Sequence, residues 1–162
     1  MQLLAMKAVA KRVEQALADA LPKAYAVELG YIPKKGITQD RSLYPIALVR
    51  CEKAIDTEED GCVMDVLITL VTTHPGQHNE GYIDLANAVE AVRQNFLKDR
   101  LFGLSKGYEA HLLDPFTVEY PEAIAPMEYI AFIAAKFEVN GVDEIGPDLH
   151  KLLFLTQEET NG

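Results

Sequence analysis

Two long runs of aliphatic and β-branched residues, joined by a short acidic link, constrain the fold of this chain more than any other feature. The runs are Tyr44–Lys53 (YPIALVRCEK) and Cys62–Thr73 (CVMDVLITLVTT). Their composition and the polar link AIDTEEDG between them predict an antiparallel hairpin. In the second run, apolar residues occupy both alternating faces over much of its length, which indicates a strand that is covered on both sides. We therefore expect Cys62–Thr73 to be a central strand of a sheet.

Two segments with helical spacing of apolar residues flank the hairpin. In Gln2–Leu21, large apolar residues recur every three or four positions, and Pro22 ends the pattern. In Tyr82–Phe102 the same spacing returns, and Gly103 marks the C-terminal end. These patterns predict two amphipathic helices that pack on the sheet.

The remaining apolar segments are short and predict further strands and a last helix. The strand candidates are Tyr25–Ile32 at an edge, His111–Leu113, Phe116–Tyr120 and Met127–Val139. Leu149–Leu155 predicts a short helix, and Thr156–Gly162 predicts a polar tail. Residues 1–155 are thus expected to form a single α+β domain, with a largely antiparallel sheet of four to five strands and two main helices packed on it.

Size and charge exclude several classes of protein. A chain of 162 residues is long enough to bury a core without a metal or a disulfide. Its apolar runs fall short of the roughly 20 residues that a membrane span requires, and the regular lysines of the first helix disfavour a secretory signal. A cytoplasmic protein is expected. With 25 acidic against 15 basic residues, the surface is poorly suited to neutralising nucleic-acid phosphates.

The acidity is regional. The formal net charge is −10, and residues 107–162 contribute −9 of it. The simpler interpretation is a solvated surface that keeps the protein soluble. The alternative is an acidic surface with a function, which lines a passage or meets a basic partner.

The two cysteines are candidates for a disulfide or a nucleophile. If the hairpin turns symmetrically about Asp56-Thr57, Cys51 and Cys62 lie nearly opposite each other, which would allow a cross-strand disulfide. Buried free thiols are favoured in a chain without an export signal. Neither cysteine has a histidine nearby in the sequence, so only the fold could supply the partner of a nucleophile.

His74 and His78 lie on either side of a proline-glycine turn, and Glu80 and Asp84 follow. Imidazoles near carboxylates are candidate metal ligands. However, the histidines do not share a helical face, and no HExxH or CxxC motif accompanies them, which favours a solvated loop. Asn79 or Asp84 is instead expected to cap the second helix through its side-chain oxygen.

Motifs for catalysis and cofactor binding are lacking. The glycines are dispersed, and none forms GxxxxGK[ST], GxGxxG or GxSxG. The acidic run Glu58-Glu59-Asp60 lies in the hairpin link, where a solvated turn is favoured. We therefore assign no catalytic, cofactor-binding or metal-binding residue, and we expect a protein that is not an enzyme.

The arrangement of these segments resembles the tail terminator, or tail completion, proteins of long-tailed bacteriophages and their prophage relatives. It comprises an N-terminal amphipathic helix, a hairpin ending in VMDVLITLVTTHPG, a helix that opens with Gly81 (GYIDLANAVEAVRQNF), the segment YPEAIAPMEY and the closing strand IAFIAAKFEV. An aromatic residue often precedes the last strand in this family, and Tyr129 takes that position here. The resemblance spans about residues 3–140, and the residues after Asn140 match nothing in the family.

The resemblance implies a structural protein of the virion tail, assembled in the bacterial cytoplasm and without catalysis. Proteins of this family form a hexameric ring that caps the tail tube, stops its polymerisation and presents a surface to the head-side connector. Because a ring needs two different complementary patches per subunit, the loop Lys34–Ser42 and the hairpin link Asp56–Asp60 are the expected contact elements. No specific nucleic acid, membrane or cofactor is expected as a partner.

The resemblance also gives the C-terminal acidity a candidate role. If Glu119, Glu122 and Glu128 faced the lumen of a ring, their charge would keep passing DNA from adhering to the wall. The competing interpretation is that the acidity coats the outside of the protein.

Two other functions remain open. The first is another oligomeric component, such as a head–tail connector or a tube-associated adaptor. The second is a small enzyme or ligand-binding domain that uses His74, His78 and a carboxylate supplied by the fold.

Overall fold

The computed structural model describes residues 2–31, 44–57, 61–76, 79–104, 107–122 and 128–139. These residues form two helices and six strands. The helices are α1 (Gln2–Ala20) and α2 (Glu80–Lys98). The strands are β1 (Ala26–Leu29), β2 (Ile46–Thr57), β3 (Gly61–Thr73), β4 (Leu101–Gly103), β5 (Glu109–Glu119) and β6 (Glu128–Val139).

The six strands form one mixed sheet in the order β1-β2-β3-β6-β5-β4. β1 runs parallel to β2, and every other neighbouring pair is antiparallel. β3 pairs with β6 along twelve residue positions from Cys62 to Thr73, at the centre of the sheet. The predicted hairpin, the central place of its second strand and the edge position of β1 are therefore confirmed.

Both helices pack on one face of the sheet. Buried residues of α1, such as Val9 and Val13, and of α2, such as Leu85 and Phe96, join the inward-facing residues of β3 and β6 in one apolar cluster. Arg12 contacts the C-terminal end of α2, whereas Leu21, which follows α1, lies near Asp84 at its N-terminal end. The two helices therefore run antiparallel.

A second, smaller apolar cluster lies on the opposite face of the sheet. It contains the buried side chains of Ile46, Leu48, Val71 and Ile130, and Phe132 packs against it. At this end of the sheet, β3 is thus covered on both faces, as the apolar residues on both of its alternating faces predict.

The prediction of four to five strands is wrong, because the structure has six. The periodicity of apolar residues does not reveal the short strand β4. Leu101 and Phe102 continue the apolar spacing of α2, so the helix was expected to reach Phe102. Instead α2 ends at Lys98, and Asp99 is extended, with φ −136° and ψ 105°. Leu101–Gly103 then pairs with β5.

The segment after β4 forms one strand where two were expected. His111–Leu113 and Phe116–Tyr120 were expected as separate pieces, but they belong to β5, whose register to β6 is irregular between Leu113 and Thr117. Asp114 and Pro115 lie in that irregular stretch, so the turn-forming pair interrupts the pairing without ending the strand.

The expected side-chain cap of α2 is also wrong. Asn79 is the N-cap residue, but its backbone is left-handed, with φ 33°, and its side chain makes no capping hydrogen bond. A capping side chain normally requires an extended backbone at this position. Asp84 lies inside the helix and does not cap it.

Some expectations lie outside the described residues, namely the loop Lys34–Ser42, the helix Leu149–Leu155 and the tail Thr156–Gly162. Within the described part of the chain, no helix is both long and apolar enough to cross a lipid bilayer.

Candidate functional site

The outer edge of β2 is the first candidate for an interaction site. β1 pairs with Ile46–Val49, and the amide of Gly30 donates to the carbonyl of Val49 at 2.9 Å. β2 continues for eight more residues. On the outer side of Arg50–Asp56, the described residues contain no further strand. We call this segment the β2 edge.

The β2 edge carries charged side chains and an irregular backbone, both of which hinder pairing with other strands. Its sequence alternates in sign through Arg50, Glu52, Lys53 and Asp56, and its register to β3 shifts between Cys51 and Lys53. Charges and bulges hinder indiscriminate pairing of an exposed edge. If the β2 edge pairs with a further strand, these features favour a partner whose charges are complementary.

The first residues of the β2 edge are held by side chains from two directions. The guanidinium of Arg50 donates to Glu52 at 2.6 Å and lies 4.4 Å from the ring centre of Tyr31. The amide of Cys51 points to the sulfur of Met6 in α1, at 3.1 Å. Met6 of α1 thus contacts the backbone of the β2 edge, while Tyr31, two residues after β1, contacts the side chain of Arg50.

The opposite end of the sheet has a different edge. It is formed by β4, which has three residues and pairs on its inner side with Glu109–His111 of β5. Leu101 is exposed there. The sheet therefore ends in a long, charged edge at β2 and a short, apolar edge at β4.

A cavity of about 580 Å³ lies where α1 ends and α2 begins. It is lined by Leu21, Pro22, Lys23, Tyr25, Pro45, Thr72, Thr73, His74, Pro75, Asp84 and Asn87. His74 and Asp84, which the sequence placed in one candidate metal set, share this cavity. His78 lies outside the described residues. In the parts of the chain that the structure describes, no three His, Cys, Asp or Glu side chains are grouped as a metal site.

Two polar side chains of the cavity, Tyr25 and His74, can donate hydrogen bonds, and Asp84 can accept them. Burial raises the pKa of Tyr25 to about 12; the charge of Asp84 adds to this, while the hydrogen bond with Thr72 opposes it. Nδ1 of His74 accepts from the amide of Gly76 at 2.9 Å, so the neutral imidazole carries its proton on Nε2. The cavity thus suits a small ligand with acceptor groups and apolar surface.

The two cysteines do not face each other. Cys51 is opposite Val66, and Cys62 is opposite Asp56, because the two strands still pair at Thr57 and Gly61. The expectation of symmetry about Asp56-Thr57 is therefore wrong, and both thiols are free. Desolvation is the largest cause that raises both thiol pKa values, that of Cys62 to about 11.

The expected contact and lumen residues lie in different environments. Asp56 belongs to β2, whereas Glu58-Glu59-Asp60 lies outside the described residues. Glu119 and Glu122 are exposed, but Glu128 is buried at the start of β6, opposite Thr73. Glu128 therefore cannot contribute to an exposed acidic surface as the other two can.

Reading the sequence alone missed the β2 edge and an exposed aromatic pair, Tyr82 and Tyr120. Lengths gave no signal for the edge, because the candidate strand Tyr25–Ile32 is nearly as long as Tyr44–Lys53, whereas β1 has only four residues in the structure. The tyrosines gave no signal, since they are distant in the sequence and the contact between their rings arises from the fold.

Comparisons with known proteins support a shared fold. No protein-family model matches the chain, and no curated protein matches its sequence. One solved chain, known only by a sequence identifier, aligns with a TM-score of 0.54 at 14% identity, over 86% of this chain and 96% of its own. The likeness shows the fold alone.

A second solved structure is a chain of the virion of a native gene transfer agent particle. It aligns with a TM-score of 0.43 at 14% identity, over 84% of this chain and 94% of its own. A likeness at that TM-score carries no argument about function.

Proposed function

We propose that this protein is a structural component of a phage-type virion, a tail terminator without catalytic activity. In this role it forms a hexameric ring that caps the tail tube, ends tube polymerisation and presents a surface to the head-side connector. The observation that carries the proposal is a contact between two segments of the family resemblance. Gly81, which opens the GYIDL helix, packs against Tyr129 at the start of the closing strand.

The edges of the sheet support a ring. A closed ring uses heterologous contacts, in which one surface of each subunit meets a different surface of the next. The charged β2 edge and the short β4 edge are unlike surfaces at opposite ends of one sheet. Such a subunit is suited to head-to-tail contacts, whereas a two-fold dimer would pair identical surfaces.

The proposal extends to the acidic residues of the C-terminal third. Glu119 is opposite Phe132, on the sheet face away from the helices, because its neighbour Val118 packs into the core. If this face lines the ring, Glu119 and the nearby Glu122 repel DNA phosphates during passage. This role requires exposed carboxylates, which excludes the buried Glu128.

The length of tail tubes tests the function directly. A phage tube protein that polymerises without limit is incubated with this protein, and tube lengths and tube ends are measured by electron microscopy. We expect tubes that stop growing and carry a ring at one end, at about one ring per tube. Tubes that grow to the same length with and without the protein would overturn the proposal.

The cavity favours a second candidate, a ligand-binding domain. Its donors on Tyr25 and His74, its carboxylate on Asp84 and its proline walls form a site of the size that small ligands occupy. Metal analysis of protein purified without a histidine tag and a thermal-shift screen of small carboxylic acids test this candidate. Stoichiometric zinc or manganese, or a shift that His74→Ala abolishes, would support it. If the wild-type protein holds no stoichiometric metal and shows no thermal shift, this candidate is ruled out.

A further inference from the structure

Three large side chains form an exposed patch where α2 begins and β5 ends. Tyr82 is 48% exposed, Ile83 is 56% exposed and Tyr120 is 41% exposed. The rings of Tyr82 and Tyr120 are in contact, with centroids 5.5 Å apart and planes tilted by 57°. Single exposed apolar residues are ordinary, but three adjoining ones indicate a surface for a partner. We call Tyr82, Ile83 and Tyr120 the aromatic patch.

Acidic side chains flank the aromatic patch. Asp84 follows Ile83 on α2, on the side that borders the cavity, and Glu90 lies two turns beyond Ile83 on the same exposed side as Ile83. The charge of Glu90 is felt at Tyr120, since it contributes to raising the pKa of that phenol after desolvation and Tyr82. Arg93 forms a salt bridge with Glu90 at 3.4 Å, but Asp84 forms none with the described residues. A partner for this surface is therefore apolar with a positive rim.

The N-terminal half of α1 carries a surface with that character. Leu3 is 52% exposed and Leu4 is 38% exposed. Lys7 and Lys11 follow Leu4 at spacings of three and seven residues, on the side of α1 opposite its buried residues. Neither lysine forms a salt bridge with a described residue. We call Leu3, Leu4, Lys7 and Lys11 the basic patch.

The two patches lie at opposite ends of the helical layer. The helices are antiparallel, so the start of α1 extends beyond the C-terminal end of α2 and contacts β2 through Met6. The start of α2 lies at the other end, beside the residues that follow α1. With 19 residues, α1 spans roughly 28 Å. The patches therefore cannot meet within one molecule, but they can meet between two.

We propose that the aromatic patch of one copy of this chain binds the basic patch of the next copy, in a head-to-tail contact. The inference rests on the ring proposed above and identifies one of its subunit contacts. Leu3 and Leu4 bury against the tyrosine rings and Ile83, while Lys7 and Lys11 approach Asp84 and Glu90. Because the two surfaces differ, the contact is heterologous, as a closed ring requires.

The choice of a second copy follows from complementarity within the chain itself. An apolar centre with a charged rim is the usual composition of an interface, and opposite rim charges fix its register and speed association. Lysine ammonium groups also favour the faces of tyrosine rings. Each patch thus provides exposed apolar side chains and charges of the sign opposite to those beside the other patch.

Site-specific crosslinking tests the contact. In a background of Cys51→Ala and Cys62→Ala, the variant with Leu4→Cys and Ile83→Cys is treated with a short bismaleimide linker. Samples are treated alone and with tail tubes, and denaturing gels should show a ladder from dimer to hexamer wherever the protein assembles. Either cysteine alone should give at most a trace of dimer, because the contact does not pair identical positions. A control pair, Leu4→Cys with Glu109→Cys, should give no ladder.

Charge reversal provides an independent test in the protein with its native cysteines. Lys7→Glu with Lys11→Glu should weaken assembly by about tenfold or more, and so should Asp84→Lys with Glu90→Lys. Combining all four substitutions should restore assembly, which a folding defect would not do. Lys98→Glu, an exposed lysine outside both patches, serves as the control and should leave assembly unchanged.

The outcomes separate this contact from the proposed function, because the solution mass is measured on the same samples. A six-copy mass without the ladder or the rescue would overturn the contact and leave the ring. A ladder in a protein whose mass is not six copies would support the contact and contradict the ring. A monomer that forms neither, alone or with tail tubes, would overturn both.

Discussion

The ring of Tyr129 lies against Gly81, in the space that a Cβ atom at this position would occupy. The absence of a side chain at Gly81 lets the first turn of α2 approach β6 closely, so the helix begins directly over the central strands. This approach positions the aromatic patch, because Tyr82 is the next residue.

Gly81→Ala should therefore lower the free energy of unfolding by about 1–3 kcal/mol through overpacking, although alanine is the better helix former by about 1 kcal/mol. In a Tyr129→Ala background, the same substitution should be neutral or stabilising. Gly103→Ala is the control, since nothing lies near its Cβ position. Urea unfolding measures the stability of Gly81→Ala, Tyr129→Ala, the double variant and Gly103→Ala. If Gly81→Ala lowered the free energy of unfolding equally with and without Tyr129, the tyrosine ring would not be the cause.

Arg12 joins the two helices at their other end. Its guanidinium donates to the carbonyls of Asn95 and Asp99 at 2.9 Å and lies 4.2 Å from the ring centre of Phe102. It thus adds a second donor to the carbonyl of Asn95, which also accepts from the amide of Asp99, and it provides a donor for the carbonyl of Asp99 just beyond α2. Arg12→Ala should cost about 2–3 kcal/mol of stability.

Arg12→Lys should recover less than half of that loss, because an ammonium cannot reproduce several guanidinium hydrogen bonds at once. Arg93→Ala removes an exposed arginine from α2 and should change stability by less than about 0.5 kcal/mol. If Arg12→Ala and Arg93→Ala were equally mild in thermal or urea unfolding, the joining role of Arg12 would be refuted.

The stability of the protein should fall at alkaline pH. The pKa of Cys62 rises from 9.0 to about 11 on folding, because burial disfavours the thiolate, so the unfolded chain loses its proton first. The free energy of unfolding should decline as the pH rises from about 9 through 11. Cys62→Ala should flatten this decline. If the free energy of unfolding of the Cys62→Ala variant declined with pH as steeply as that of the wild type, the assignment of the decline to Cys62 would be contradicted.

Charge reversal at the exposed acidic pair tests the lumen proposal. Glu119→Lys with Glu122→Lys should make the ring retain double-stranded DNA, because the wall then attracts phosphates. Glu14→Lys with Asp19→Lys makes the same change of charge on the outer side of α1 and serves as the control. Retention by both variants, or by neither, would place the acidic pair outside the lumen.

The order of the main elements could be predicted because each has a strong local pattern. The hairpin strands and the two helices carry periodic apolar residues, and their packing follows from that period. β4 could not be predicted, because its identity depends on pairing with β5, and its Leu101 and Phe102 also fit a helical pattern. The local pattern of apolar residues also does not determine the register of a hairpin. In the observed register Cys62 is opposite Asp56 and not opposite Cys51.

The candidate sites depend on tertiary placement and were predicted less well. His74 and Asp84 do share a cavity, as their closeness in sequence suggests. Tyr25, which precedes β1, joins them there, and no sequence pattern relates it to them. The aromatic patch, likewise, forms only when Tyr120 reaches α2.

The most direct test of the account is the solution mass of the purified chain, measured by light scattering across concentration and salt, with and without tail tubes. Six copies of the 18.0 kDa chain amount to about 108 kDa. We predict that mass, or a monomer that assembles into rings of six when tubes are added. A stable dimer that is indifferent to tubes would contradict the account.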